Sequence, residues 1–448
     1  MASAPVLSLL ALGCGNQYRP VVSAINPVGP AAQPTKYAIA ISSPATSSPG
    51  LLTFVDFAGD TVLTTPQILS NPNYLALDST GTEGYVINSN GSLNQFGASN
   101  PTGLISSGIS QSTLTAGASP VSITPVTLSG SSSTIFVPEP GVSQVAALSS
   151  TGSLQQNIAL PANPVYVVGV DGARRAYAIS QGNGTVSSIE SGNLAVSSTI
   201  RVGSNPTYGV MTPDGARAFI LNKGSGTVSV INVINNGLDT ATSVIPVGLN
   251  PVWADIAPTT AELVVLNAGD GIHPGSLSII NIPLCNNAAQ STNQNCNQAN
   301  PVDAIGFGSV FATVPVGINP QMVSVLKDGS RAYVANQGVL CPPNPPASAP
   351  PCTNVEGSVS VVNLASGTVI ATIPAVSGTS ATVDTTSTPG AVYGHPTTIS
   401  ATSGQPTGKV YVTSADNKYL TVIQTDINVV LTHINLQGLG VKVLVSAP

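Results

Sequence analysis

Short runs of β-branched and aromatic residues alternate with Gly, Pro, Asn and Asp along most of the chain, a pattern typical of strands joined by turns. The clearest copy contains three such runs, Tyr208-Gly209-Val210-Met211, Ala218-Phe219-Ile220-Leu221-Asn222 and Thr227-Val228-Ser229-Val230-Ile231-Asn232. Related stretches recur along the sequence. A supersecondary unit that repeats at roughly 40–45 residues is typical of a β-propeller with one four-stranded blade per repeat. The pattern therefore predicts an all-β fold, a single β-propeller.

A proline opens seven of the repeats, at Pro72, Pro120, Pro164, Pro206, Pro251, Pro320 and Pro396. We label the four strands of a repeat A to D in chain order. Strand A follows the proline and is expected to line the central channel. A tight turn such as Asp214-Gly215 leads to strand B, and because Asp bonds its own backbone while Gly supplies a positive φ, these acids are predicted to be structural.

Strand B carries a recurring motif that resembles the YVTN family of β-propeller repeats, found in microbial surface-layer and secreted proteins. The motif appears as Tyr85-Val86-Ile87-Asn88, Tyr333-Val334-Ala335-Asn336 and Tyr411-Val412-Thr413-Ser414, and the family's Pro-Asp-Gly turn is intact at Pro213-Asp214-Gly215. The resemblance covers roughly residues 36–448. It implies the propeller fold and leaves the activity open, since the same fold hosts many functions.

The two chain ends are predicted to complete one blade together. The N-terminal part begins within a repeat, with Tyr37–Ile41 interpreted as strand B, and the C-terminal run Val441–Ser446 is interpreted as strand A. Their pairing would close the ring and cover the last unpaired strand edge. This predicts eight four-stranded blades. Seven is the alternative if the degraded copy near Pro120, which has several prolines in or near its strands, merges with a neighbour.

Charged residues make up only 7% of the 448 residues, against about 25% in typical domains. Lys and Arg total 12 and Asp and Glu total 18, giving a net charge of −6. A nucleic-acid binder needs clustered basic residues, and the sequence has no such cluster. A surface built from uncharged polar residues is frequent on extracellular proteins, so the composition favours an exported protein with no nucleic-acid partner.

The N-terminal residues have the features of an export signal. Residues 1–13 contain a short apolar stretch that ends in Ala11-Leu12-Gly13 before Cys14, which resembles a bacterial lipoprotein cleavage site with Cys14 as the lipidated residue. No Lys or Arg precedes the apolar stretch, so an ordinary signal peptide and an unprocessed start stay open as alternatives. Residues 14–35 are predicted to form a flexible tether, or an arm that adds a strand to a neighbouring copy. The propeller is predicted over residues 36–448.

Four further cysteines form two local pairs, Cys285 with Cys296 and Cys341 with Cys352. Both pairs lie in insertions and have the same spacing. An even number of cysteines in an exported chain indicates disulfides. Zinc ligands usually come in closer pairs, so a metal site is the weaker alternative, and no metal or other cofactor is predicted.

Loops between strands B and C, and between D and A, emerge on the same face of a propeller, and they include the insertions 268–275, 337–357 and 375–395, whereas the insertion 283–303 joins C to D on the opposite face. We therefore predict this face as the binding surface, with Asp270, His273 and His395 as candidate residues. Trp253 and Asp255 lie on a predicted strand A and are candidate channel residues. A desolvated Asp255 would have a raised pKa.

The sequence contains no G-x-S-x-G, HExxH, P-loop or EF-hand motif, and it predicts no catalytic residue. The favoured function is a non-catalytic exported propeller at the bacterial outer surface, held to the membrane only by a lipid anchor. It would act in adhesion, as a scaffold or in the envelope, with a protein or glycan as partner, and self-assembly into a fibre through the N-terminal arm stays open. The alternative is an exported hydrolase of the lactonase type.

Overall fold

The computed structural model describes residues 36–99, 101, 104, 108–239, 242–283, 306–341, 352–377, 390–402 and 408–446. Along the first half, the strands are β1 (Tyr37–Ser43), β2 (Pro49–Asp56), β3 (Val62–Thr64), β4 (Gln67–Ser70), β5 (Pro72–Leu77), β6 (Glu83–Asn88), β7 (Ser92–Gly97), β8 (Ser110–Thr113), β9 (Thr124–Val126), β10 (Thr134–Glu139), β11 (Gln144–Ser149), β12 (Leu154–Ala159), β13 (Pro164–Val168), β14 (Arg175–Ser180), β15 (Thr185–Glu190), β16 (Val196–Arg201), β17 (Pro206–Met211) and β18 (Arg217–Asn222). Along the second half, they are β19 (Thr227–Asn232), β20 (Gly237–Leu238), β21 (Val244–Pro246), β22 (Pro251–Ala257), β23 (Glu262–Asn267), β24 (Pro274–Asn281), β25 (Val310–Ile318), β26 (Pro320–Val325), β27 (Arg331–Asn336), β28 (Ser358–Asn363), β29 (Thr368–Val376), β30 (Val392–Tyr393), β31 (Pro396–Ala401), β32 (Lys409–Ser414), β33 (Tyr419–Gln424), β34 (Val429–Asn435) and β35 (Leu439–Val445). Short 3₁₀ turns lie at Pro140–Val142 and Gln181–Asn183.

These strands form eight sheets, each of which is one blade, and their pairing is antiparallel except for the short β30, which pairs parallel with β29. Blade 1 consists of β35 and β1–β4, and blades 2 to 8 consist of β5–β8, β9–β12, β13–β16, β17–β21, β22–β25, β26–β30 and β31–β34. The inner strands contact one another in the order β35, β5, β9, β13, β17, β22, β26, β31 and back to β35. The fold is therefore an eight-bladed β-propeller, as the repeat predicts.

Blade 1 joins the two ends of the described chain. Strand β35 pairs antiparallel with β1, from Ala38 opposite Val445 to Ser43 opposite Leu439. The Ser446 amide donates to the Tyr37 carbonyl at 2.9 Å, and the Tyr37 amide donates to Ser446 Oγ at 3.1 Å. The predicted closure by mixed termini is confirmed, and the pairing covers the edge of β1.

The degraded repeat near Pro120 forms blade 3. Its strand β9 is only three residues long, and Pro125 lies within it, opposite Ile135. Pro138 lies in β10, opposite Val145. Proline shortens the ladder because it has no amide hydrogen to donate. The blade nonetheless keeps four strands, so the count of eight is confirmed over the alternative of seven.

The motif tyrosines of strand B link neighbouring blades. The Tyr85 hydroxyl donates to the Ser150 carbonyl of blade 3 at 3.2 Å, and the Tyr333 hydroxyl donates to Asn428 Oδ1 of blade 8 at 2.7 Å. Both rings are buried. At these two positions the motif is thus explained by packing between sheets, since the tyrosine fills the gap between two blades and satisfies its hydroxyl on the next one.

Buried asparagines at the end of strand B join three structural elements. The Asn222 carbonyl oxygen accepts from the Gly203 amide at 3.1 Å, and its amide donates to Ser229 Oγ at 3.0 Å. Asn336 repeats this arrangement with Gly317 and Ser360. A Cβ on Gly203 would lie 2.6 Å from Asn222 Cγ, so the glycine is required by the close approach of the chain.

The Asp-Gly turns between strands A and B have the predicted structural role. Asp78 Oδ1 accepts from the amides of Thr82 and Glu83 at 2.7 and 2.9 Å. Gly81 follows with φ 67°, which favours glycine.

Cys341 and Cys352 form a disulfide with a Cα–Cα distance of 5.8 Å, as predicted. A bridge between Val339 and Val355 closes the base of the same loop. Cys14, Cys285 and Cys296 lie outside the described residues. In the described part of the chain, no helix has the length and apolar character needed to cross a membrane.

Candidate functional site in the central channel

The central channel is lined by strand A, and a bulge sets which side chain enters it. In seven blades one residue near the start of strand A is skipped in the pairing with strand B. The residue that follows the skipped one occupies the same place in each of these blades. A bulge of this kind redirects a side chain. These residues are Tyr74, Tyr166, Tyr208, Trp253, Met322, Thr398 and Lys442.

Aromatic side chains from three consecutive blades stack against each other in the channel. The Tyr208 ring lies parallel to the Trp253 ring, with centroids 4.1 Å apart and an interplanar angle of 18°. Tyr166 follows at 4.6 Å from Tyr208. Burial raises the pKa of Tyr74, Tyr166 and Tyr208, so their hydroxyls stay protonated at neutral pH.

Lys442 enters the same level of the channel from blade 1. Its Nζ lies 3.2 Å from the centroid of the Tyr74 ring and 5.3 Å from that of Trp253, and the residue is 6% exposed. Burial lowers the pKa of Lys442 well below 10.5. Contact with aromatic faces partly replaces the lost hydration of the ammonium. Side chains from blades 1, 2, 4, 5 and 6 therefore meet across the channel.

Asp255 lies two residues beyond Trp253 on the channel face of β22. Its Oδ1 accepts from the Ile256 amide and its Oδ2 from the Val325 amide, both at 2.8 Å. Burial raises the pKa of Asp255 to about 6, while the two amide bonds partly oppose this shift. The carboxyl group therefore titrates near neutral pH.

A cavity of 190 Å³ lies beside Asp255, between blades 4, 5 and 6. Its walls include Tyr166, Tyr208, Val210 and Asp255, and it continues towards Met211 at the end of β17. Strand A ends at the A–B turns, so this cavity lies towards the A–B face. The predicted binding surface is on the opposite face, where the B–C and D–A loops emerge.

The predicted residues of the B–C and D–A face do not form one cluster. Asp270 and His273 lie in the B–C turn of blade 6, both exposed, with His273 Nδ1 2.6 Å from Asp270 Oδ2. The His273 amide, its ring and the Ile272 amide hold the pKa of Asp270 well below its ordinary value. Their hydrogen bonds are confined to this turn.

His395 is buried in blade 8 rather than exposed in a loop. Its Nδ1 lies 2.7 Å from Asp416 Oδ2, and its backbone amide donates to Asp416 Oδ1 at 2.8 Å. The residue is 1% exposed, which fits a role in holding the D–A connection against the B–C turn. His433, on β34, stacks on Tyr393 with ring centroids 3.6 Å apart.

Among the residues that the structure describes, no group of three or more His, Cys, Asp or Glu side chains could hold a metal ion. Sequence reasoning identified Trp253 and Asp255 and missed Tyr74, Tyr166, Tyr208 and Lys442. The three tyrosines carried a signal, since each stands two residues after a repeat proline, as Trp253 does. Lys442 follows no proline and became visible only through its pairing with Ile41.

No family model matches the chain, and no curated protein matches it. Several solved structures match the chain. Dihydro-heme d1 dehydrogenase NirN in complex with DHE has a TM-score of 0.60 and 11% identity, over 91% of this chain and 75% of that one. Two structures of AztD from Citrobacter koseri have TM-scores of 0.57 and 0.56 at 11% identity, over 92% of this chain and 98% and 97% of theirs. At this identity the likeness defines the fold alone, a β-propeller.

Proposed function

We propose that this chain is an exported, non-catalytic β-propeller of the cell surface that binds a small ligand in its central channel. The observation that carries the proposal is the cavity between blades 4, 5 and 6, where aromatic rings and a single carboxylate line a concave surface. Apolar and aromatic walls with few polar groups are typical of ligand sites. The ligand would bind from the A–B face, below the level of Trp253 and Lys442.

The chemistry of the channel supports binding over hydrolysis. General acid–base catalysis uses groups that exchange a proton near the operating pH, in reach of the reacting atoms. Among the described groups lining the cavity, Asp255 alone titrates near neutral pH, since the tyrosines stay protonated. One carboxyl group held by two backbone amides suits orientation of a ligand, and a propeller lactonase would need a metal or a second titrating group.

Several basic side chains of the ring form hydrogen bonds between blades, and this supports an exported protein with an uncharged polar surface. Arg175 donates to the Val233 carbonyl of the next blade at 2.6 Å, and Lys409 of blade 8 donates to the Phe57 carbonyl of blade 1 at the same distance. Arg331 bonds the Thr425 carbonyl across the boundary between blades 7 and 8. These cations bind between blades, so they add little to the charge of the outer surface. Lipidation at Cys14 and a protein or glycan partner stay part of this proposal.

The proposal is tested with the purified full chain. A small-molecule library is screened by thermal shift, and hits are titrated on the wild type, Asp255→Asn and the control Asp270→Asn. We expect a saturable ligand whose affinity falls in Asp255→Asn and is unchanged in the control. A lactone and ester panel, with metal analysis, is run in parallel. Turnover that disappears in Asp255→Asn would show that the site is catalytic and overturn the proposal.

Export and anchoring are tested separately in the native host. The wild type is expected in the membrane fraction, exposed to external protease and labelled by a fatty-acid analogue. Cys14→Ser should lose the label and leave the membrane. An unlabelled wild type in the cytoplasm would contradict this part of the proposal.

A further inference from the structure

Strand D, the outermost strand of a blade, has a bulge near its start in several blades. At the bulge one residue of strand D is skipped in the pairing with strand C, and a bulge redirects the side chain of such a residue. In blades 6, 7 and 8 the skipped residues are Phe311, Ile370 and Leu431, and all three are exposed. Three consecutive blades therefore present large apolar side chains to solvent at the same structural position.

The fold does not require an apolar residue at this position. The skipped residue is Gln155 in blade 3 and Ser197 in blade 4, and the strands around them pair in the same way. Blade 1 has Leu63 there, and that side chain is half-buried. Packing inside the ring therefore gives no reason for the exposed apolar side chains of blades 6 to 8.

The apolar side chains of these three blades lie on one continuous part of the outer rim. The turn between strands C and D of each blade contacts the preceding blade. A Cβ on Gly367 of blade 7 would lie 3.5 Å from Phe311 Cε1 of blade 6, and the Tyr333 hydroxyl of blade 7 donates to Asn428 Oδ1 of blade 8 at 2.7 Å. Together with exposed valines beside them, the bulge residues form a surface that we call the rim patch. It consists of Val310, Phe311, Val369, Ile370, Val429 and Leu431, each between 37% and 50% exposed.

The rim patch carries no charge. Residues 309–314, 366–373 and 427–431 contain no Asp, Glu, Lys, Arg or His, and Asp426 borders the last of these segments in the sequence. Strand β25 has nine residues and, within the described chain, pairs with β24 alone. Natural proteins usually place charged side chains along such an edge, which keeps other strands from pairing with it. The edge of β25 lacks this protection.

We propose that the rim patch binds a second copy of this chain across a two-fold axis. In such a contact each surface meets its own equivalent, so a charge near the axis faces a charge of the same sign. An uncharged apolar patch avoids this repulsion. A lipid surface, in contrast, favours basic residues around the apolar ones, and the patch has none. The contact closes after two copies, and it does not depend on the ligand proposed for the channel.

Sedimentation velocity of the full chain tests the proposal. The protein carries Cys14→Ser, so that no attached lipid contributes to association. We expect a reversible dimer with a dissociation constant in the micromolar range, as for small interfaces. Because the patch is uncharged, raising NaCl from about 0.05 M to about 0.5 M should not weaken the dimer.

Variants identify the surface that forms the dimer. Ile370→Lys and Phe311→Lys each place a charge in both halves of the contact, and each should weaken the dimer by at least about tenfold. Ile370→Leu keeps the apolar contact and should associate like the parent protein. Gln155→Lys is the matched control, since it puts the same charge at the same bulge position of blade 3, outside the rim patch. Thermal unfolding checks that each variant is folded.

Hydrogen exchange gives a readout that needs no variant. Amides of residues 310–314 and 368–373 should exchange more slowly as the protein concentration rises, while those of β12 should not change. A protein that stays monomeric at high concentration would contradict the inference, and so would a dimer that keeps its affinity in both Lys variants. Binding of the monomer to phosphatidylcholine vesicles that is lost in Ile370→Lys would assign the rim patch to a lipid surface instead.

Discussion

Lys442 Nζ lies 3.2 Å from the centroid of the Tyr74 ring, and the two residues belong to opposite ends of the chain. Lys442 is on the last strand, β35, and Tyr74 is on β5, the inner strand of the next blade. The contact exists because the C-terminal strand completes blade 1. It places a buried ammonium group among aromatic rings in the channel.

Replacing Lys442 with methionine should stabilise the protein. Methionine has a similar length and no charge to desolvate, and exchanging a buried charge for a well-packed apolar group is often neutral or stabilising by about 1–4 kcal/mol. Lys442→Ala removes the same charge and leaves a cavity, so it should lose about 1–3 kcal/mol relative to Lys442→Met. Urea unfolding monitored by Trp253 fluorescence measures both.

The sign of the pH dependence provides an additional check. Burial lowers the pKa of Lys442 in the fold, so the folded protein binds fewer protons than the unfolded chain below pH 10.5. This contribution to stability is present above 10.5 and is lost as the pH falls through the lowered pKa. The difference between Lys442→Met and wild type should therefore widen as the pH falls from 10.5. A constant difference would show that the ammonium is not desolvated.

Removing residues 437–448 should prevent stable closure of the ring. The deletion removes β35 with its buried Val443, exposes the edge of β1 and uncovers the buried Ala38 and Ala40 that pack in the same cluster as Val443. Exposed edges and apolar surface favour aggregation. Size-exclusion chromatography should show aggregates or a large loss of soluble protein, while deletion of residues 447–448 alone should have no effect. A monomeric truncated protein with unchanged melting would refute the closure.

Breaking the disulfide should have a local effect. Cys341→Ser with Cys352→Ser removes a crosslink whose loop lies outside the blade strands, and closing a loop of this size contributes at most about 2–3 kcal/mol in the chain-entropy model. We expect faster proteolysis between residues 341 and 352 and a nearly unchanged melting temperature. Non-reducing peptide mapping should recover the Cys341–Cys352 pair. The Cys285–Cys296 pair stays a prediction for the same mapping.

Gly203→Ala should destabilise the fold by about 1–3 kcal/mol. The new Cβ would lie 2.6 Å from Asn222 Cγ, and the buried Asn222 would have to move away from the Gly203 amide that it accepts from. Gly192→Ala is the matched control, because nothing lies within 4 Å of its Cβ position and its φ is not positive. Chemical denaturation should separate the two variants. Equal effects would mean that the close approach is not required.

His433 should make the fold sensitive to acid. Burial lowers its pKa from 6.5 to about 4, so between these values the unfolded chain binds the extra proton and the folded protein does not. Its contribution to stability is present above pH 6.5 and is lost as the pH falls towards 4. His433→Phe keeps the stacking on Tyr393 and should retain on the order of 1 kcal/mol more stability at pH 4.5 than at pH 7, relative to wild type. Parallel pH profiles of the two proteins would contradict this.

Much of the channel could have been inferred from the repeat. Tyr74, Tyr166, Tyr208 and Trp253 each stand two residues after a repeat proline, and the bulge that follows the proline turns them inward. His395 shows that a position in a long loop does not by itself predict an exposed side chain. It lies in a long D–A connection, yet its hydrogen bonds with Asp416 and its burial assign it to the frame of blade 8.

The sequence by itself determined the strands, the eight blades and the closure by mixed termini. These depend on short-range pattern, on turn chemistry such as Asp214-Gly215, and on a repeat whose copies must stack to bury their faces. The tertiary structure alone decided that Lys442 meets Tyr74 and Trp253, and that Asp255 lines a cavity towards the A–B face. Those contacts join residues far apart in the chain, so they depend on the curvature of the ring and on how neighbouring blades pack, which no local pattern encodes.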